Sequence, residues 1–513
     1  MHTGSLHHPA LRKLKHPAIA GCFCWELFSI SLQDLVCIMA YPLPLESLLV
    51  PFERRTLHPW MGRGVRPIPT PELVYPALLG HTRAPRLAYL HVPFCANHCL
   101  FCGFYRNKSN EAAMTEYVDR LIDEIAQDGA RAGMQSAPVE AVFFGGGTPS
   151  ALSAQDLNRI LKALRQHLLL AADCEITIEG RVAGFDDEKI DACLEGGANR
   201  FSIGIQTFDT KLRRRMGRKA SREEAIAFLG GLVARDRAAV VCDLIYGLPG
   251  QTDELWRDDV SLCEEIGLDG VDLYCLTLHS GSPLALSIDK GALPPAADHE
   301  TALRRYREGG EILDAAGWSR ISQAHWRRTE REGNRYNNAT KAGTDCLAFG
   351  AGAGGMLAGH RFMQDGDAAN YQTRVAAGEK PLSGMLAPTP HHRVCGMVME
   401  GLEAGVLDLQ RLDRMVAEPG FVAALEPLLD YWTTQDLVRR EQDSLHLTVT
   451  GRYWYNNIAA QLFMLIGTYI DGPQAAAPAG GHPDGHPAGI PRPVHPASKP
   501  QQGHPHEQRS HSA

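Results

Sequence analysis

The chain has 513 residues, 44% of them hydrophobic, enough to bury a sizeable core, and a formal charge of −8. Acidic and basic residues are interspersed, which argues against a nucleic-acid partner, because phosphate contact needs a basic face. The 13 cysteines are odd in number and spread over a long chain, which excludes a small disulfide scaffold and fits a reducing, cytoplasmic setting.

Residues 1–60 show no sustained period and are expected to form a poorly structured extension. Their apolar stretch is interrupted by Glu26, Gln33 and Asp34, so it reads neither as a signal peptide nor as a span. A start codon set too early is the expected account, with Met39 a candidate start. No apolar run reaches transmembrane length, so no membrane partner is expected.

Between 80 and 320 the pattern alternates. Strand-like runs begin at Arg86 (RLAYLHV), Val139 (VEAVFFGG), Cys174 (CEITIEG), Arg200 (RFSIGIQ), Ala239 (AVVCDLIYG) and Val271 (VDLYCLTL). Each is near-continuously apolar or β-branched, as strands covered on both faces are. Helical stretches fall between them. In one, Leu157, Ile160, Leu161, Leu164 and Leu168 recur at helical spacing behind a cap formed by Ser153 and Asp156. Such alternation predicts an α/β fold with a parallel sheet, here a partial (β/α)6 barrel, with ligands at the carboxyl ends of its strands. Residues 321–384 are glycine-rich and polar, and are expected to be a connecting segment that completes the active site. Residues 385–470 look helical with one hairpin, in LVRREQDSLHLTVTG. They predict a small winged-helix-like domain that caps the barrel rather than binding DNA. Residues 471–513 are Pro-, Gly- and His-rich and are expected to be a disordered, solvated tail, although their histidines could collect metal or haem.

Two strand ends carry chemistry. Cys95, Cys99 and Cys102 follow the first strand as CxxxCxxC. Zinc would need a fourth ligand, for which His91 and His98 are the nearby candidates. Three buried thiols are the bland alternative. Three thiolates on one short loop can instead hold three irons of a [4Fe–4S] cube and leave the fourth iron open to a cofactor. At the end of the second strand, Gly145, Gly146 and Gly147 allow a ligand close to the backbone, though a tight turn would use them too. Glu179 closes an apolar strand, where an unpaired carboxylate is costly, so a bridge to Arg181 or Arg200 is the ordinary expectation. Gln206, Arg218 and Asp243 lie near further strand ends and would converge with it on one barrel mouth.

The cysteine spacing, with Phe101 before the last thiol, resembles the radical S-adenosylmethionine (SAM) enzymes. The order YLHVPFC, GGGTPS, GIQTFD, DLIYGLPGQT over residues 86–255 resembles their coproporphyrinogen dehydrogenase-like branch. The resemblance implies that Cys95, Cys99 and Cys102 bind the cluster and that Phe101 packs beside the adenine of S-adenosyl-L-methionine. It implies that Gly146, Gly147 and Thr148 meet the methionine part, and that Tyr89, Glu179, Gln206, Arg218 and Asp243 are further cofactor contacts.

Within the branch, oxidative decarboxylases carry another cysteine where this chain has Phe104, and an acid-Pro-Arg run where it reads Glu179-Gly180-Arg181. Haem chaperones usually show Asn-Pro after that glutamate. The chain is most similar to the haem-utilisation proteins, which include anaerobic haem-degrading methyltransferases (HutW/ChuW type). That implies two SAM molecules, one giving a 5′-deoxyadenosyl radical that takes hydrogen from the methyl of the other. The methylene radical then adds to a meso carbon of haem, the ring opens, iron leaves and a methylated linear tetrapyrrole remains. The electron would come from a flavodoxin- or ferredoxin-type protein or a flavin. A coproporphyrinogen III dehydrogenase and a non-catalytic haem chaperone are the alternatives. Arg213, Arg214 and Arg215 could serve haem propionates but read better as a solvated helix face. His279 and His325 are candidate axial ligands, each of which could equally be an ordinary hydrogen-bonded histidine.

Overall fold

A computed structural model of the chain describes residues 43–472, apart from 57, 58, 60–65, 81–83, 104, 106 and 417–419. Met39, Phe104 and the tail beyond 472 lie outside the described residues. All six strand-like runs are strands: β1 Arg86–Val92, β2 Val139–Gly146, β3 Leu170–Gly180, β4 Arg200–Gln206, β5 Ala239–Tyr246 and β6 Gly270–Cys275. They lie side by side in chain order, every neighbouring pair parallel. β3 begins earlier than the apolar run, at the more polar Leu170–Asp173.

A helix follows each strand: α1 Glu111–Gly129, α2 Ala154–His167, α3 Asp187–Glu195, α4 Arg222–Ala234, α5 Asp253–Ile266 and α6 His299–Ala315. Each begins at a side-chain cap. Asn110, Ser153, Asp186, Ser221, Thr252 and Asp298 accept from a backbone N–H three residues on. A cap of this kind contributes about 1 kcal/mol. Because each helix follows its strand, the capped starts all stand at the carboxyl edge of the sheet, and fix where that edge ends. Apolar faces such as Leu157, Ile160, Leu161 and Leu164 of α2 are buried in the core.

The segment 321–384 does more than connect. β7 (His325–Arg327) pairs antiparallel with β6. After helix α7 (Arg335–Ala342), β8 (Cys346–Phe349) adds a parallel strand beside β1. Three antiparallel strands, β9 Gly354–Leu357, β10 His360–Gln364 and β11 Leu382–Ala387, carry the sheet further. The result is a 13-stranded sheet whose two ends are not joined among the described residues, an open partial barrel. The C-terminal region holds α8 (His392–Ala404), a three-stranded sheet of β12 Val406–Asp408, β13 Val438–Glu441 and β14 Ser444–Leu447, and the long helix α9 (Tyr455–Asp471).

One expectation needs correction. Residues 43–56 were expected to lie outside the main fold, yet Leu43, Leu45, Leu48, Leu49 and Phe52 pack against the core. The Thr56 N–H donates to Asn457 Oδ1 at 2.9 Å, and Asn457 Nδ2 donates to the Arg54 carbonyl at 2.7 Å. These partners lie at the other end of the described chain, so no local period marks the segment. Among the described residues no helix is long and apolar enough to cross a membrane.

Candidate active site

The loop after β1 is pinched at its neck. Phe94–Cys95 pairs with Asn107–Lys108, and the Ser109 N–H donates to the Cys95 carbonyl at 2.9 Å. The three thiols on this loop line one cavity of about 230 Å³ at the carboxyl edge of the sheet. All the expected cofactor contacts except Tyr89 line the same cavity.

The thiols meet donors. Arg181 Nη2 donates to Cys99 Sγ at 3.4 Å, Arg218 Nη1 donates to the same sulfur at 3.7 Å, and Thr148 Oγ1 lies 3.2 Å from Cys95 Sγ. Guanidinium N–H groups placed against a sulfur offset the negative charge of a metal-bound thiolate. Burial pushes the Cys95 thiol up, and the Thr148 hydroxyl pulls against it. Zinc fits poorly. His91 Nδ1 lies 3.0 Å from the Tyr89 hydroxyl, and His98 Nε2 lies 3.2 Å from the Cys102 carbonyl oxygen. Among the described residues no three His, Cys, Asp or Glu side chains are gathered tightly enough for one metal ion. Thiols spread around a cavity suit a larger, polynuclear centre.

The glycines at the end of β2 are required by the cysteine loop. Gly146 has φ +107°, and a Cβ there would stand 2.7 Å from the His91 ring. A Cβ on Gly147 would stand 2.7 Å from the Phe94 carbonyl oxygen. A side chain at Gly147 would press on the backbone that leads into Cys95.

Gln206 shows a different device. The β4–β5 register shifts between Gly204 and Gln206, and Gln206 takes φ +66°. Its side-chain Oε1 is buried without a hydrogen-bond partner. A left-handed non-glycine residue and an orphaned buried acceptor each cost about 1–3 kcal/mol. Together they mark an amide held for a ligand. Beside it Arg218 is buried and donates to the Gly204 carbonyl. A Cβ on Gly204 would meet both side chains at 2.9 Å.

Glu179 makes neither expected salt bridge. Arg200 Nε lies 2.9 Å from Glu332 Oε2, and Arg181 is spent on Asn97 and Cys99. Burial, reinforced by the charge of Asp243, pushes the Glu179 carboxyl up to about 8 against the pull of Arg200. Asp243 is raised too, by burial and by Asp272. Two carboxyls without a salt bridge among the described residues, facing one cavity, can take hydroxyls or a cation. Tyr89 sits just behind this layer, in a cluster of near-parallel rings with Phe143 and Tyr336.

Four further residues needed the structure. Arg181 and Asn97 line the cavity, and the only signal for Arg181 was its place directly after the Glu-Gly strand end. Arg213 is not on a solvated face. It is buried and donates to the carbonyls of Ile205, Thr207 and Ala220, while Arg214 and Arg215 are exposed. His325 is buried in ion pairs away from the cavity, 3.0 Å from Asp272 and 3.3 Å from Glu332.

Residues 89–263 match the Radical SAM superfamily. Over 421 residues the chain is 46% identical to anaerobilin synthase of Escherichia coli O157:H7, covering 81% of this chain and 92% of that one. The chain belongs to the radical SAM superfamily. It is 30% identical over 382 residues to heme chaperone HemW of Lactococcus lactis, covering 73% of this chain and 96% of that one. The fold is that of the coproporphyrinogen III oxidase HemN from Escherichia coli, with a TM-score of 0.66 at 21% identity, covering 84% of this chain and all of that one. Radical SAM enzymes use a [4Fe–4S] cluster and SAM, and the cavity fits both. Three thiols with cationic donors suit the cluster. The glycine edge, the orphaned Gln206 amide and the Glu179–Asp243 carboxyls suit a polar sulfonium cofactor.

Proposed function

We propose that the chain opens the haem porphyrin ring without oxygen as a C-methyltransferase, releasing iron and a methylated linear tetrapyrrole. The observation that carries this reading is the 46% identity to anaerobilin synthase across 92% of that protein. The cluster and SAM supply, when bound, a carbon radical made by reductive cleavage of the sulfonium. The chain supplies the rest. Cys95, Cys99 and Cys102 hold the cluster, with Arg181 and Arg218 donating to Cys99. Phe101, Gly146, Gly147, Thr148, Glu179, Gln206, Arg218 and Asp243 form the cofactor cradle around the cavity, and Tyr89 buttresses it from behind. We assign the pocket two SAM molecules, a haem-type tetrapyrrole substrate, a flavodoxin- or ferredoxin-type or flavin electron donor and a cytoplasmic setting. The C-terminal region acts as a cap that keeps stray hydrogen donors from the radical.

HemW, at 30% identity over 73% of this chain, supports a second reading, in which haem is bound and passed on intact. Anaerobic incubation of the reconstituted, reduced protein with haem and SAM separates the two. The first reading predicts loss of haem absorbance, free iron and an open-chain tetrapyrrole. Haem recovered unchanged on an acceptor protein, with no SAM consumed, would reject it. Carbon dioxide released from coproporphyrinogen would instead mark a decarboxylase.

A further inference from the structure

Haem presents an iron that needs an axial ligand as well as two apolar faces. Of the two candidate histidines, His325 is fully buried and committed to Asp272 and Glu332. His279 differs on each point. It is exposed, in the loop between β6 and the helix Pro283–Asp289, and its imidazole has no hydrogen-bond or ion-pair partner among the described residues. Its ring edge, Cδ2 and Nε2, stands 3.5 Å from where a side chain on Gly103 would begin, and Gly103 directly follows the cluster thiol Cys102.

The surroundings of His279 suit a porphyrin face. Tyr274, Leu278 and Leu286 expose 42%, 45% and 46% of their surface along this one stretch. Large apolar side chains left exposed along one stretch of chain can mark a binding surface. The loop is also anchored to the thiols. The Leu284 N–H donates to the Leu100 carbonyl at 3.0 Å, and Leu284 packs in a small cluster with Leu212, Met216 and Leu248 against Leu100 and Phe101. The segment that carries His279 is therefore tied to the cysteine loop, and its imidazole stands beside Gly103, so an iron bound to it would hold the macrocycle next to that loop.

We propose that His279 is the axial ligand of a haem seated on this rim. This rests on the haem-opening reading and names how that site grips its substrate. A coordinate bond forms from the imidazole nitrogen to iron, with no change of oxidation state. Breaking it lets the iron leave once the ring is open.

The test is titration of ferric haem into the anaerobically purified full chain, followed by absorption and electron paramagnetic resonance, with circular dichroism to verify the fold of each variant. Wild type should show an imidazole-ligated haem. His279→Ala should lose that signature and bind haem about tenfold more weakly or worse. Free imidazole should restore the signature, and His279→Cys should exchange it for a thiolate-type spectrum. A His279→Ala protein with the wild-type spectrum and affinity would overturn the assignment while leaving ring opening intact. A wild-type protein that binds no haem would overturn both.

Discussion

The floor and the mouth of the barrel both hold buried charge, and they hold it in opposite ways. At the floor, Arg200, Glu332, His325 and Asp272 form a chain of ion pairs at 2.9, 3.3 and 3.0 Å, with every side chain 4% exposed or less. Burial alone would push Glu332 up, but Arg200 and His325 bring it down to about 2. Burial would push His325 down, but Asp272 and Glu332 lift it to about 9. At the mouth, Glu179 is left at about 8 without an ion pair among the described residues, and Gln206 keeps an orphaned acceptor. The difference separates two uses of buried polarity. Charges that close on each other lock strands into register, whereas charges left open are held for something that arrives later.

The comparison breaks most visibly at the thiols. Cys99→Ser should take anaerobically reconstituted protein from about four irons per chain to nearly none, checked by iron analysis and the visible absorption of the cluster. The same change should leave the thermal unfolding of the metal-free chain almost unmoved, because Cys99 belongs to the mouth.

Glu332→Gln attacks the floor and should do the reverse. Removing one partner strands the Arg200 guanidinium in the core, a loss of about 3–5 kcal/mol in chemical denaturation. The pH dependence follows from the same pairs. The stability from His325 is complete below its unfolded value of about 6.5 and disappears as pH rises through about 9. That from Glu332 is complete above about 4.5 and disappears as pH falls through about 2. Wild type should therefore lose melting temperature between pH 6.5 and 9, and Glu332→Gln should show a shallower slope.

Glu179→Gln sharpens the contrast with an effect of opposite sign. A carboxyl raised in the folded state weakens the fold as pH climbs from about 4.5 toward about 8. The metal-free Gln variant should match wild type in acid and exceed it in stability by about 1–3 kcal/mol above pH 8. It should also bind SAM roughly tenfold more weakly, since one hydrogen-bonded charge is worth about 1.5–3 kcal/mol.

The smallest effect is a proton count. If SAM ionises Glu179 and Asp243 on arrival, its binding near pH 7 releases a fraction of a proton, seen as a calorimetric enthalpy that varies with the buffer. A buffer-independent enthalpy would place the cofactor away from these carboxyls.

How much of this was legible in the chain follows the range of each interaction. Six strands could be read because a strand covered on both faces is near-continuously apolar, as AVVCDLIYG is apart from Asp243. The cysteine loop could be read because metal chemistry fixes ligand spacing. Arg200 and Glu332 lie 132 residues apart, and nothing local to either announces the other. The same holds for the docking of residues 43–56 on α9. Gln206 was legible as a residue type at a strand end, but the bulge that turns it left-handed comes from its register with β5. Arg213 looked solvated because three arginines in a row read as surface, whereas its neighbours' free carbonyls draw one of them inward.

The central claim meets its most direct test in one mass-spectrometric experiment with haem, reductant and SAM carrying a trideuterated methyl group. Haem opening by methyl transfer predicts an iron-free linear tetrapyrrole that has gained a deuterium-bearing methyl, together with 5′-deoxyadenosine carrying one deuterium. Haem recovered without label, or an open-chain product whose added carbon is undeuterated, would contradict it.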